Sequence, residues 1–138
     1  MIRQLESTDY PALYHLQQQA YQVEADLIGA SHFPPLQQTE AQLRQEQPSG
    51  YVCVCEGSLV GILTLEQETI TRLIVSPDHF RQGIAKQLVQ HVLTRQTVRF
   101  VSTAAANHPA IALYQQFGFR QTNQQTRDAI VLVTLERS

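Results

Sequence analysis

Residues 70–89 of the chain read Ile-Thr-Arg-Leu-Ile-Val-Ser-Pro-Asp-His-Phe-Arg-Gln-Gly-Ile-Ala-Lys-Gln-Leu-Val. The first six are mostly β-branched or large aliphatic residues, which is typical of a buried strand, and Pro77 ends that strand because proline cannot donate to a hydrogen-bond ladder. After Gly83 the apolar residues recur at helical spacing, with polar residues between them. The segment therefore predicts a strand that leads through a short polar turn into an amphipathic helix.

The predicted turn has the features of an anion-binding site. The first N–H groups of a helix have no intrahelical partners, and the helix macrodipole adds positive potential there. Arg81 adds a fixed positive charge, and Gly83 has no Cβ that would keep a phosphate away from the backbone. On these residues alone the alternative stays open that Gly83 only forms a tight turn and that Arg81 is a solvated surface charge.

Length and composition limit the classes of protein to consider. A chain of 138 residues has the size of one domain, which we expect to span residues 1–138. Its net charge of −2 argues against nucleic acid or an anionic membrane as the main partner, because both require a basic surface. No apolar run reaches membrane-spanning length and the N-terminus lacks the apolar segment of a secretory signal, so we expect a cytoplasmic protein.

The cysteines and histidines do not indicate a metal site. Cys53 and Cys55 are the only cysteines, and their spacing predicts that both lie on one face of a strand as small hydrophobic residues. The five histidines are scattered and share no predicted helical or strand face. We therefore predict that no metal is bound.

Apolar runs separated by turn residues predict a sheet with intervening helices. Strands are expected at 2–5, 51–55, 59–65, 70–75, 98–102 and 129–135, with one more starting at 119. The strand at 98–102 is predicted to lie parallel to the strand at 70–75 through a right-handed crossover. Between residues 24 and 48 the helical pattern breaks at Gly29 and at the proline pair 34–35, so Phe33 and Leu36 either plug the core or form a lid over a pocket.

A second motif lies at residues 107–119, which read Asn-His-Pro-Ala-Ile-Ala-Leu-Tyr-Gln-Gln-Phe-Gly-Phe. It matches Asn-x-x-Ala-x-x-Leu-Tyr-x-x-x-Gly-Phe in full, and with it the chain resembles the GCN5-related N-acetyltransferase (GNAT) family. The family's other signature is an apolar strand and a proline before Gln/Arg-x-x-Gly-x-Gly/Ala, and here it corresponds to residues 75–85. One departure is that Phe80 stands in place of Gln or Arg. The motifs occur in the family's order, and the resemblance covers nearly the whole chain.

The resemblance implies a fold and a cosubstrate. The fold is the GNAT fold, of the α/β (α+β) class: a single mixed, mostly antiparallel central sheet whose parallel strands 4 and 5 splay apart, with helices on both faces. The cosubstrate is acetyl-CoA, whose pantetheine arm would lie along the strand around Ile74 and bind main-chain groups of Leu73 and Val75. Asn107 would lie near the pantetheine, or else only cap the helix that Pro109 opens. The pyrophosphate would bind at the turn and helix start, formed by Phe80, Arg81, Gln82, Gly83, Ile84, Ala85 and Lys86.

The resemblance also implies catalytic roles. Tyr114 corresponds to the family's general acid, which protonates the departing thiolate, and the alternative is a half-buried tyrosine that only fills the space between the strands. A base is needed because the attacking amine is an ammonium in solution. Many relatives carry a glutamate early in the central strand, where this chain has Thr69. Glu68 and Glu66 are therefore candidates, and a water chain to solvent is the alternative.

The implied reaction is transfer of an acetyl group from acetyl-CoA to a primary amine by direct attack in a ternary complex. The acceptor is a small amine or an exposed amino group, and a homodimer is an open alternative to a monomer. Family resemblance places acceptor specificity in residues 21–46, where four acidic residues either favour a cationic amine or form a solvated surface: Glu24, Asp26, Glu40 and Glu46. A non-catalytic acyl-CoA sensor of the same fold is the alternative function. A phosphate-loop nucleotide-binding protein is disfavoured because Gly83 is not followed by Lys-Ser/Thr.

Overall fold

The computed structural model describes all residues from 1 to 138 and contains one seven-stranded sheet. The spatial order of the strands is β1-β2-β3-β4-β5-β7-β6. All neighbouring strands are antiparallel except β4 and β5, which are parallel. The strands are β1 (Ile2–Gln4), β2 (Ser49–Cys55), β3 (Ser58–Glu66), β4 (Thr69–Val75), β5 (Phe100–Ala104), β6 (Arg120–Arg127) and β7 (Ile130–Glu136).

Helices cover both faces of this sheet. They are α1 (Tyr10–Ile28), α2 (Glu40–Glu46), α3 (Ile84–Leu93) and α4 (His108–Gln116), with 3-10 helices at Ser7–Asp9, Pro34–Gln37 and Pro77–His79. On one face, α1 and α2 bury the cluster Leu13, Leu16, Leu43, Val52, Ile62 and Ile74. On the other face, α3 and α4 bury a larger cluster that includes Leu88, Val92, Tyr114 and Phe119. The predicted mixed sheet with helices on both faces is thus confirmed. None of the helices has the length and apolar character of a membrane span.

Helix α1 extends further than its sequence pattern indicates. The pattern weakens at residue 24, yet the helix continues to Ile28 and ends at Gly29, whose φ of 71° gives a left-handed C-cap. The break predicted at Gly29 is therefore confirmed, and packing against the sheet sustains α1 up to that point where its own periodicity does not. As a result, Glu24 lies on a helix and not in a loop.

A β-bulge in β4 determines how the sheet opens. Thr64 pairs with Arg72 whereas Leu65 pairs with Ile70, so Thr71 is an extra residue in β4. The bulge reverses the alternation of side chains: Ile70 packs in the α3 and α4 cluster, while Ile74 packs in the α1 and α2 cluster. Bulges bend the strand and increase its local twist. Immediately after the bulge, β4 diverges from β5.

The parallel strands β4 and β5 pair over only two residue pairs, Thr69 with Phe100 and Ile70 with Val101. Both strands continue beyond these pairs, to Val75 and to Ala104. The two strands therefore splay apart toward their carboxyl ends, as the family resemblance implies, and leave a gap in the hydrogen-bond ladder.

The exposure of Cys55 contradicts the prediction that both cysteines behave as small hydrophobic residues of a strand. The register of β2 against β3 shifts between Cys53 and Val54. Cys53 is buried in the core whereas Cys55 is exposed. The shift makes Val60 an extra residue of β3 and leaves the alternation within β2 intact, so Cys55 is exposed because it ends β2 beside the hairpin turn.

Candidate active site

A cleft of about 1170 Å³ opens between the splayed strands. Its floor and sides come from β4, β5, the start of α3 and the inner face of α4, and its far end is bordered by α1, the Pro34–Gln37 helix and the tip of the β6–β7 hairpin. The two sequence motifs, which are more than 20 residues apart, meet at this cleft. The cleft is therefore the candidate active site.

Main-chain groups of β4 point into the gap between the strands. The N–H of Ser76 donates to the carbonyl oxygen of Val60 in β3 at 2.8 Å. Since main-chain groups of successive strand residues point to opposite sides, those of Val75 and Leu73 point away from β3, toward the gap. Those of Ile74 point back toward β3. An extended ligand can pair with Leu73 and Val75 as an added strand would.

The turn before α3 has the backbone conformation of an anion-binding nest. Gly83 is the N-cap of α3 with φ 78° and ψ 13°, and Arg81 has φ 64°, while φ of the intervening Gln82 is not positive. Such alternation directs successive N–H groups toward one point. No side chain caps α3, so the N–H groups of its first turn are free for a ligand.

The surroundings of this turn complete an anion site. A Cβ added at Gly83 would meet nothing within 4 Å, so space is left beside its backbone. Arg81 and Lys86 line the cleft and take part in none of the four ion pairs of the protein. Phe80, 44% exposed, also lines the cleft, and it presents an aromatic ring where the family has a polar side chain. The structure thus brings together the residues of the first motif, except that the Gln82 side chain does not line the cleft.

The position of α3 depends on a close approach to β3. A Cβ added at Gly61 would lie 2.7 Å from Cγ2 of Ile84, the first residue of α3. Glycine at position 61 therefore lets the first turn of α3 pack directly on the sheet. Because this turn carries the free N–H groups, the contact fixes the anion site relative to β4.

Tyr114 projects from α4 to the cleft and is only 4% exposed. Its ring packs edge-to-face on Phe119, with centroids 5.7 Å apart at 65°. Burial raises the pKa of the Tyr114 hydroxyl far above its ordinary value, and the charges of Glu24 and Tyr21 raise it further. The hydroxyl is therefore protonated at neutral pH, which is the state that a proton donor requires.

Asn107 is the N-cap of α4. Its Oδ1 accepts a hydrogen bond from the N–H of Ala110 at 3.3 Å, which is the capping role considered from the sequence. The residue also lines the cleft. Capping engages only the amide oxygen, so the amide nitrogen is left to donate to a ligand.

Of the four acidic residues considered between positions 24 and 46, one lines the far end of the cleft. Glu24 projects from α1 and lines the cleft, and burial raises the pKa of its carboxyl group. The other three acidic residues of this region do not line the cleft: Asp26, Glu40 and Glu46. Glu24 is three residues after Tyr21, and this spacing places both on one face of a helix. The sequence could have indicated their shared position only if α1 had been predicted to continue past residue 24.

Glu46 is committed to Arg72, a β4 residue that is 8% exposed. The guanidinium Nη1 and Nη2 donate to the two carboxylate oxygens at 3.0 and 2.9 Å, and Arg72 also donates to Thr64 and Gln38. Burial of Glu46 opposes its ionisation, but the hydrogen bonds from Arg72 and Gln38 outweigh it, so the pKa of Glu46 is lowered. This network holds α2 on the sheet behind the cleft.

The segment with Phe33 serves as both a core plug and a cleft wall, the two roles left open from the sequence. Phe33 is 6% exposed and packs edge-to-face on Tyr21, with centroids 6.0 Å apart. Pro34 and Pro35 line the cleft beside it. The buried ring of Phe33 therefore holds this wall of the cleft against α1.

The structure does not bring Glu68 or Glu66 into the cleft. Both are exposed at the turn between β3 and β4, and Glu68 borders a separate surface depression with Arg99 and Glu136. Glu68 is seven residues before Val75, a separation of roughly 23 Å along a strand. The cleft is at the carboxyl ends of β4 and β5, so a residue that precedes β4 is at the wrong end of the sheet for the assumed role of base.

Comparison with known proteins identifies the family. A family model described as Acetyltransferase (GNAT) family matches residues 3–119. The chain belongs to the GNAT family of acetyltransferases. This GNAT protein resembles the ribosomal protein bS18-alanine N-acetyltransferase of Escherichia coli K12, with 29% identity over 149 residues that cover 95% of this chain and 94% of that protein. It is 28% identical to the peptidyl-lysine N-acetyltransferase YiaC of Escherichia coli K12, over 97% of this chain and 92% of that protein.

Solved structures show the same fold. A crystal structure of the Escherichia coli ribosomal-protein-S18-alanine N-acetyltransferase superposes with a TM-score of 0.75 and 24% identity, covering 99% of this GNAT chain and 92% of the other. The paia N-acetyltransferase from Thermoplasma acidophilum, in complex with coenzyme A, superposes with a TM-score of 0.71 and 14% identity, covering 99% and 98%. The GNAT protein is thus an N-acetyltransferase that uses acetyl-CoA, and the non-catalytic sensor is not favoured.

Proposed function

We propose that this N-acetyltransferase transfers the acetyl group of acetyl-CoA directly to a primary amine that is exposed on a protein or peptide. The observation that carries the proposal is one continuous cleft that contains free β4 main-chain groups, the nest before α3 and the protonated hydroxyl of Tyr114. All of these groups come from a single chain, so residues 1–138 act as one catalytic domain and need no second copy.

The cofactor-binding residues hold acetyl-CoA along the splayed strands. The pantetheine amides pair with main-chain groups of Leu73 and Val75, and Asn107 donates to the same arm from across the cleft. The pyrophosphate binds the nest and the first turn of α3, with Arg81 and Lys86 close by. Held in this way, the thioester lies between β4 and α4, beside Tyr114.

The reaction needs a proton at the sulfur atom. Attack of the amine nitrogen on the thioester carbonyl forms the C–N bond, and collapse of the tetrahedral intermediate breaks the C–S bond. Tyr114 donates its hydroxyl proton to the departing thiolate and regains a proton from the acylated nitrogen. The raised pKa of Tyr114 keeps the proton on oxygen until the thiolate forms.

A protein or peptide amine fits the open end of the cleft. The names of two similar proteins specify an alanine of a ribosomal protein and a peptidyl lysine as acceptors. In this chain, the exposed apolar residues Val23 and Leu27 border the cleft and can contact the acceptor beyond its amino group. Residues that pack against the acceptor outside the reacting atoms orient the amine for attack.

The test is acetylation of a peptide panel followed by mass spectrometry and by release of free thiol. The panel contains a peptide with a free N-terminal alanine, the same peptide blocked at its N-terminus but carrying one lysine, and a polyamine. We expect acetyl transfer to a peptide amine and a fall in kcat of about 10²-fold or more in Tyr114→Phe, with acetyl-CoA binding retained. Tyr51→Phe, a change outside the cleft, is the matched control.

Acetyl-CoA binding is checked separately by thermal unfolding. Acetyl-CoA at 100 times its Kd should stabilise the protein by about 2.7 kcal/mol. Binding without transfer to any amine in the panel would contradict the proposed acceptor class. An unchanged kcat in Tyr114→Phe would show that Tyr114 is not the general acid. That result would not contradict the proposed acceptor class.

A further inference from the structure

We propose that the carboxylate of Glu24 binds the ammonium group of the acceptor and takes its proton before attack on acetyl-CoA. The proposal rests on the proposed function and assigns the base that this function requires. It also defines the acceptor as a cationic amine, which reaches the thioester from the α1 side of the cleft.

Glu24 is a carboxylate without a counter-ion. The ion pairs of the protein join Arg3 to Asp9, Arg44 to Glu40, Arg72 to Glu46, and Arg99 to Glu136, and none includes Glu24. Burial is the only cause that shifts the pKa of Glu24, so no nearby cation or hydrogen-bond donor compensates for its partial burial. A partly buried carboxylate of this kind is costly in the free protein, and a cationic ligand offsets that cost.

The groups around Glu24 fit a proton acceptor. Tyr21 is one turn earlier on α1, and Tyr114 approaches from α4, close enough that the charge of Glu24 raises the pKa of its hydroxyl. The nearest buried cation on β4 is Arg72, which is engaged by Glu46. Glu24 and Tyr114 thus border the same space, one able to accept a proton and the other able to donate one.

Two further charged residues line this end of the cleft at the tip of the β6–β7 hairpin, Arg127 and Asp128. Both are exposed to solvent, and neither contributes to the raised pKa of Glu24. Asp128 is the other acidic residue that lines the cleft. It is therefore the internal competitor for the role assigned to Glu24.

The proton balance is complete with these two residues. The acceptor R–NH₃⁺ transfers one proton to the Glu24 carboxylate and attacks the thioester carbon as R–NH₂. The C–N bond forms, the C–S bond breaks, and Tyr114 exchanges its proton between the acylated nitrogen and the thiolate, so that it ends as it began. Glu24 releases its proton to solvent, and the products are R–NH–acetyl, CoA thiol and one proton.

The main test compares Glu24→Gln and Glu24→Asp with Asp26→Asn, which removes the same charge from the solvent side of the same helix. We expect kcat/KM of Glu24→Gln to fall by about 10²-fold or more. Activity should recover in part at high pH, where the amine is already neutral, and also with a weakly basic amine as acceptor. Glu24→Asp should retain part of the activity, and Asp26→Asn should match the wild type.

A binding measurement tests the same carboxylate without turnover. With CoA bound, the wild type should bind a peptide with a free N-terminal alanine more tightly than its N-acetylated counterpart, and Glu24→Gln should lose this preference while its CoA affinity is unchanged. The proposal is overturned if the wild type shows no such preference, or if Asp128→Asn and not Glu24→Gln removes it. If Glu24→Gln keeps its turnover and the pH profile of the wild type, Glu24 is not the base. The proposed acetyl transfer is not affected by that result.

Discussion

The carboxyl group of Glu24 has a pKa above its ordinary value of 4.5 in the folded protein, because burial opposes its charge. A carboxyl group whose pKa is higher in the folded state binds protons more tightly there, so ionisation lowers stability as pH rises through that pKa. We therefore predict that Glu24→Gln raises the melting temperature near pH 7, and that the difference from the wild type disappears near pH 4. Thermal unfolding at both pH values checks this, and a variant less stable than the wild type near pH 7 would contradict it.

The tip of the β6–β7 hairpin stores strain in the backbone. Asp128 and Ala129 have φ of 50° and 64°, the conformation of a two-residue turn that favours glycine at its second position. An alanine in this region costs roughly 1–2 kcal/mol relative to glycine. Ala129→Gly should raise the free energy of unfolding in urea by about 0.5–1 kcal/mol, after the greater unfolded-state entropy of glycine is included. Ala112→Gly, within α4, should instead lower it, since glycine disfavours a helix interior.

Single residues differ in how far the sequence reveals them. Tyr114 and Gly83 belong to local motifs, and through these motifs the family resemblance implies their relation to coenzyme A. Glu24 could not be identified in this way, because four acidic residues between 24 and 46 look alike in the sequence. They differ only in their tertiary surroundings: Glu46 forms an ion pair with Arg72, whereas Glu24 lines the cleft and forms no ion pair.

The turn before α3 combines a left-handed backbone conformation with the candidate anion site. Substitution of two glycines distinguishes the effect on stability from the effect on CoA binding. Gly83 and Gly118 have φ of 78° and 89°, and a Cβ at either would meet nothing within 4 Å. Because alanine also lowers the entropy of the unfolded chain, the net cost of alanine at either position should be about 0.5–1 kcal/mol of stability. Gly83→Ala should also weaken CoA binding by about tenfold, about 1.4 kcal/mol, because its methyl group and the shifted N–H groups disturb the nest.

Gly118→Ala is the control for this effect. It should show the same loss of stability, since Gly118 follows the C-cap of α4 in the same left-handed conformation, but unchanged CoA binding, since it does not line the cleft. Isothermal titration with CoA and urea unfolding of both variants give the comparison. Equal CoA affinities in the two variants would show that the turn before α3 is not the phosphate site.

At the level of elements, the sequence predicted the seven strands and the helices after Gly83 and at Pro109, but not the irregularities of the sheet. The bulge at Thr71 has no signature in the residues around it, because a threonine suits regular and bulged strands alike. The family resemblance led to Glu68, next to Thr69 at the start of β4, as a base candidate, although the open end of the sheet is at Val75. The position of β5 also moved, from the predicted 98–102 to Phe100–Ala104, since pairing with β7 sets its bounds.

Two ion pairs fix the α1 and α2 layer to the sheet, and both make the whole molecule sensitive to acid. Arg3 donates to both carboxylate oxygens of Asp9 at 2.8 Å, and Arg72 binds Glu46 in the same two-pronged manner. The hydrogen bond from Arg3 lowers the pKa of Asp9, and the Arg72 network lowers that of Glu46 despite burial. Both carboxylates therefore stabilise the fold above their ordinary pKa values of 3.8 and 4.5, and this stability is lost as pH falls through the lowered values.

We predict that the urea midpoint of the wild type decreases below about pH 4.5. This decrease should be smaller in Asp9→Asn and in Glu46→Gln. The variants should be less stable than the wild type near pH 7 and approach it at low pH. Glu40→Gln serves as the control, because its partner Arg44 is exposed and the pair contributes little. A steep acid loss that persists unchanged in both variants would assign acid sensitivity to other carboxylates.

The two-residue contact between β4 and β5 also divides the molecule into unequal cooperative units. Strands β1 to β4 form one continuous ladder and β5 to β7 another, joined in the sheet only at Thr69–Phe100 and Ile70–Val101. In amide hydrogen exchange without ligand, we predict a lower opening free energy for β5 to β7 than for β2 and β3, and fast exchange at Leu73 and Val75. Bound acetyl-CoA supplies the missing ladder partner, so it should slow exchange at Leu73 and Val75 and raise protection in β5, while Ile62 in β3 stays unchanged. The cosubstrate of this enzyme thus completes the sheet on which it reacts.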